Sequence, residues 1–172
     1  MTERDNVIIE FLSKCPSSSC TINKIFFTGK SMRMTNKRLK LLYDYGHIKR
    51  TRETNWDNYY YYVQKKPSQL LHYDYIARAY YWIIKQGYEI LNFDIQKQYE
   101  NIRPDLLAMI RKNNKDGLLP VEIEFNLYNL DHKVKLYENS QFEKLVLFSN
   151  KPRESRSITI INRSLKELQS IL

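Results

Sequence analysis

Glu122 and Glu124 stand two positions apart in the strand-forming run 118–125, so the alternation of a strand puts both carboxylates on one face. Asp105 follows Pro104 near the start of a second such run, 103–110, and the polar stretch 112–117 joins the two. A hairpin centred near Asn114 and Lys115 places Asp105 almost opposite Glu124. Three carboxylates then share one patch, where their repulsion calls for a cation or a proton. A plainer reading is also open: Glu122 and Glu124 form the solvent face of an amphipathic strand, and Asp105 merely begins one.

A second constellation is cationic. The chain has 172 residues and a formal charge of +9, yet residues 1–66 hold 13 Lys and Arg against six Asp and Glu, a balance of +7. Residues 67–172 hold 15 against 13, a balance of only +2. Such a concentration suits a phosphate-binding module, since each neutralised phosphate releases counterions. Within it Arg33, Asn36, Lys37 and Lys40, flanked by Arg38, carry side chains suited to phosphate oxygens and base edges in a major groove.

Three helices must position that set. Val7, Ile8, Phe11, Leu12 and Cys15 recur at helical spacing over 4–15 until Pro16 and three serines stop the pattern. Thr21 is the expected cap of a short second helix containing Ile22, Ile25 and Phe26. Ser31 is the expected cap of a third, 32–45, with Met32, Leu39, Leu42 and Tyr43 inward and Gly46 closing it. A basic strand over 48–53, a polar turn over 54–58 and a tyrosine-rich strand over 59–63 follow. Alternation sends Tyr59, Tyr61 and Val63 to one face of the last strand and Tyr60 and Tyr62 to the other.

Three helices and a hairpin, with Arg38-Leu39-Lys40-Leu41-Leu42 running into Tyr45-Gly46-His47-Ile48-Lys49-Arg50, resemble the winged helix-turn-helix family. The resemblance implies a DNA-binding domain over 1–66, with Lys49, Arg50 and Arg52 along the wing and Trp56, an apolar side chain in a polar turn, at its tip.

Beyond Pro67 the pattern changes. A long amphipathic helix over 69–86 ends at Gly87, and strands are expected over 88–95, 103–110 and 118–125. A helix over 129–140, strands over 144–149 and 157–161, and a helix over 164–172 complete an αβββαβ order with an added strand and helix. That order, with Arg103-Pro104-Asp105 and Val121-Glu122-Ile123-Glu124, resembles the PD-(D/E)XK nuclease-like fold over 67–172. The fold class is therefore α+β in two domains. An active nuclease of this kind uses Asp105, Glu122 and Glu124 to hold Mg²⁺ at a scissile phosphate. Glu124 occupies the motif position usually held by Lys, so Lys133 or Lys135 on the next helix would have to supply that role, and cutting activity is left open. Asp74, on the long helix, reads as a solvated acid.

Both halves together resemble the plasmid replication-relaxation family. That implies a sequence-specific double-stranded DNA-binding protein of plasmids or phages, a transcription regulator or replication accessory that needs no cofactor to bind. A homodimer is expected, because such domains read paired half-sites and the tyrosine-rich strand and long helix offer apolar surface. Two other readings stand beside it: a Mg²⁺-dependent endonuclease or nickase targeted by the winged helix, and an adaptor recruiting replication or segregation proteins. The sequence points away from other classes. It has no Gly-rich phosphate loop, no apolar run long enough to cross a bilayer, and no Cys/His set around Cys15, Cys20, His47, His72 and His132. A cytoplasmic protein is expected.

Overall fold

The computed structural model describes residues 1–54, 57–126 and 130–171. The chain is α+β, with six helices and two sheets among the described residues. It divides into two compact units, 1–81 and 82–171, so that the division falls inside one helix. The boundary expected at Pro67 lies in the loop ahead of that helix.

In the first unit α1 (Glu3–Lys14) starts at a capping box: the Thr2 side chain accepts from the Asp5 amide and the Thr2 amide donates to Asp5 Oδ2 at 2.6 Å. Pro16 stops it, but the serines that follow do more than break a helix. Ser17–Ser18 form β1, and Ser18, three residues earlier than the expected Thr21, caps α2 (Ser19–Phe26). Ser31 caps α3 (Met32–Asp44) as expected, and Gly46 follows with φ of +75°, a conformation glycine adopts without strain.

The buried face of α3 is Thr35, Leu39 and Leu42, with Asn23 Nδ2 of α2 donating to Thr35 Oγ1 at 2.7 Å. Tyr43, expected inside, is exposed, because the inward arc is centred on Thr35 and Leu39 and Tyr43 lies at its margin. β2 (Lys49–Thr51) and β3 (Tyr60–Tyr62) form an antiparallel hairpin, with β3 central in the order β1-β3-β2. Tyr61 and Tyr62 are both buried, so both faces of this central strand are covered.

Helix α4 (Leu70–Lys85) carries Asp74, which is fully buried and not solvated as its polarity suggested. Its Oδ1 accepts the Ser18 amide at 2.8 Å, and its Oδ2 accepts Arg78 Nη2 at 2.7 Å and Nε at 3.0 Å. The ion pair thus holds the capping residue of α2 against α4.

In the second unit the order is β4 (Glu89–Ile95), β5 (Leu106–Lys112), β6 (Lys115–Glu124), α5 (Leu130–Glu138), β7 (Lys144–Ser149), β8 (Thr159–Arg163) and α6 (Leu165–Gln169). One sheet runs β4-β5-β6-β7-β8, antiparallel through β6 and parallel beyond it. The β5–β6 turn is tighter than the six-residue stretch expected: Asn113 and Asn114, at φ of 52° and 59°, make a two-residue turn between Lys112 and Lys115. Asn accepts this left-handed geometry more readily than most residues, which lets both strands extend. Leu145, Val146, Leu147 and Phe148 make β7 a continuous buried run, as a parallel strand covered on both faces requires.

Asp74→Ala is expected to lower the unfolding free energy in urea by about 3 kcal/mol, the cost of leaving a buried charge unpaired. A loss no larger than that of the exposed pair Lys97–Asp94 would contradict the anchoring role.

Candidate functional site

Strand β6 carries Glu122 and Glu124 side by side on one face, and both are withdrawn from solvent, Glu122 to 2% exposure. Asp105 immediately precedes β5. The register Leu106↔Val121 continues to Asp105 opposite Glu122, not Glu124. The one-residue shift of the turn centre moves the pairing by two positions and so leaves the shared face intact. Asp105 Oδ2 accepts the Ile123 amide at 2.8 Å, filling a ladder position just past the last β5–β6 pair. One carboxylate oxygen from each of the three acids lies within 4.8 Å of the others.

Helix α5 supplies the cation. Lys133 Nζ donates to Glu122 Oε2 at 2.8 Å and to Glu124 Oε1. Lys135, two residues on, is exposed and stays apart. Tyr137, one turn after Lys133, donates its hydroxyl to Glu122 Oε1 at 2.7 Å. It is absent from the candidate residues of the sequence, where only its i,i+4 spacing from Lys133 marked it as sharing that face.

The charges are uneven, with three acids facing one ammonium. Burial, and then the Asp105 carboxylate, push the Glu122 carboxyl up to about 8, against the pull of Lys133 and Tyr137. Burial opposes the charge on Lys133, but the flanking glutamates outweigh it and hold the ammonium above its ordinary range. The Tyr137 phenol is driven up by burial and by Glu122. The donor set is all oxygen and fits a hard divalent cation, with Asp105, Glu122 and Glu124 as the residues that would hold it.

The cationic residues of the first unit divide into groups. Arg33, Asn36, Lys37 and Lys40 are exposed along one stripe of α3, and Lys40 is paired with Asp44 at 2.5 Å. Among the described residues no carboxylate pairs with Arg33 or Lys37. Arg38 faces α1 instead, its Nε 2.7 Å from Oδ1 of the buried Asp5 and its Nη2 on Oδ2. This guanidinium holds the Asp5 carboxyl well below the usual carboxylate range.

On the hairpin, Arg50 lies over the rings of Tyr43, at 4.3 Å, and Tyr59, at 4.2 Å, and Arg52 lies over Tyr59 at 4.9 Å. Lys49 donates to the Gln64 carbonyl at 2.9 Å. Trp56 falls outside the described residues.

No protein-family model, no curated protein and no solved structure matches this chain.

Between about pH 4.5 and about 8 the folded protein holds a proton on Glu122 that the unfolded chain has released. Stability is therefore expected to fall as pH rises through that window and to level off above it. Urea unfolding across the window should show a flatter pH dependence in Glu122→Gln than in the wild type; identical slopes would contradict the assignment.

Proposed function

We propose that the chain is a double-stranded DNA-binding protein that reads its site through the outward face of α3 and the β2–β3 hairpin. The observation that carries the reading is the exposed stripe Arg33, Asn36, Lys37 and Lys40 beside an Arg50 held between two tyrosine rings. A helix about 10–12 Å across matches a major groove about 12 Å wide. Arg33 and Asn36 offer the paired donors and acceptors that match guanine and adenine edges, and Lys37 and Lys40 offer charge to phosphates. Stacking limits the rotamers of Arg50, so less entropy is lost when it meets a phosphate.

In this reading the first unit is a winged helix-turn-helix with β1 as the third strand of its sheet, and the role is that of a regulator or replication accessory of a plasmid or phage.

Arg33→Ala with Lys37→Ala is the test, because neither side chain is buried, whereas Arg38→Ala would also strip Asp5 of its partner. On a duplex selected from a random pool, the double variant is expected to bind about 1–3 kcal/mol more weakly, with a shallower salt dependence and an unchanged melting temperature. Wild-type affinity in the variant would overturn the reading.

A second reading rests on the carboxylate trio. Asp105, Glu122 and Glu124 bring their oxygens within 4.8 Å, and Lys133 reaches two of them as the motif's missing lysine would. We read the second unit as a PD-(D/E)XK nuclease-like scaffold. A Mg²⁺ ion bound there would position water and stabilise charge on a scissile phosphate. Tyr137 fixes one oxygen of Glu122, and Lys133 keeps a positive charge at the face. If the site cuts, supercoiled plasmid is nicked with Mg²⁺ and Asp105→Asn abolishes nicking; intact plasmid in both would end this reading.

A further inference from the structure

Helix α5 carries its own cation to the acids of β6. Leu130, Val134 and Tyr137 form the buried stripe of the helix, and Leu130 and Val134 pack on Leu147 of β7. Lys133, one residue before Val134, starts at the margin of that stripe, so its stem runs along the packed face while its side chain keeps 32% of its exposure. Its Nζ donates to Glu122 Oε2 at 2.8 Å and to Glu124 Oε1, and one ammonium thus bridges two carboxylates.

The fold engages the neighbouring oxygens as well. Tyr137 donates to Glu122 Oε1 at 2.7 Å, and the Ile123 amide donates to Asp105 Oδ2 at 2.8 Å. Both oxygens of Glu122 therefore already accept a donor. A divalent ion on the same carboxylates would stand a few ångströms from the ammonium, where two like charges repel strongly in a partly buried setting. The two cations are alternatives. Of the two donors on Glu122, Tyr137 is buried in a cluster with Phe142 and Leu145, whereas Lys133 is partly exposed on a flexible stem. Lysine is the partner that can leave.

We propose that Lys133 is a tethered counter-ion in the cation position of the Asp105, Glu122 and Glu124 face, and that a divalent cation enters only as this ammonium withdraws. The proposal rests on the second reading in one respect, that the trio can hold a divalent ion, and it does not require that the site cuts.

The full-length protein is titrated with Mn²⁺ by calorimetry and by loss of the free Mn²⁺ spin signal. Lys133→Met, which keeps most of the stem and drops the charge, is expected to bind Mn²⁺ at least tenfold more tightly than the wild type, and Lys133→Gln is expected to change in the same direction. Lys133→Arg keeps the charge and is expected to stay near the wild type. Lys135→Met removes the same charge from the exposed side of α5, and a gain below twofold there separates displacement from a general field effect. Adding Asp105→Asn to Lys133→Met is expected to abolish the gain, which places the ion at the trio.

Thermal unfolding gives an independent readout. In chelator Lys133→Met is expected to melt below the wild type, because the acids lose their counter-charge, and Mn²⁺ is expected to raise its melting temperature more than that of the wild type. Equal Mn²⁺ affinity in the wild type, Lys133→Met and Lys133→Gln, or an equal gain in Lys135→Met, overturns the proposal. Plasmid nicking is scored apart: tighter Mn²⁺ binding by Lys133→Met without nicking in any variant supports the counter-ion and ends the cutting reading, whereas wild-type nicking with no gain in the neutral variants does the reverse.

Discussion

A carboxylate buried near the start of α1 decides which side of α3 faces outward. Asp5 is fully buried and pairs with Arg38, the residue after Lys37. Pinning Arg38 against α1 fixes the rotation of α3 about its axis, and Arg33, Lys37 and Lys40 are left on the opposite arc. The pair is costly to desolvate, and a well-packed apolar pair could be as stable. What the charges supply is orientation, because a guanidinium meets a carboxylate in few geometries.

The same device recurs. Asp74 is held by Arg78 and the Ser18 amide in the first unit, and Glu122 by Lys133 and Tyr137 in the second. The proton affinities of Asp5 and Glu122 move in opposite directions for a physical reason. Asp5 meets a two-pronged guanidinium and a backbone amide, so its charge is stabilised. Glu122 also meets another acid, Asp105, in a buried setting, so its charge is opposed. The Glu122 carboxyl, raised by burial and by Asp105, therefore differs from the plain ion pair that Asp5 makes with Arg38.

Much of this was legible in the sequence where local rules dominate. Ser31 and Gly46 bracket α3 by capping chemistry, and the alternation in Val121-Glu122-Ile123-Glu124 places two acids together. Long-range pairing was not legible. Nothing local distinguishes Lys133 from Lys135 as the lysine that reaches the acids, since the choice depends on which face of α5 packs on the sheet. Likewise Arg38 reads as one more cation until Asp5, 33 residues away, is seen to claim it. The turn at Asn113 and Asn114 shifted the register because two asparagines tolerate a tighter bend than composition alone implies.

Cross-linking to a photoreactive thymine-analogue duplex, mapped by mass spectrometry, would locate the DNA-contacting surface proposed for α3 and the hairpin. Adducts are expected on peptides spanning residues 33–40 and 49–54, suppressed by a specific competitor duplex. Adducts confined to residues 82–171, or equally abundant with any competitor, would contradict that proposal.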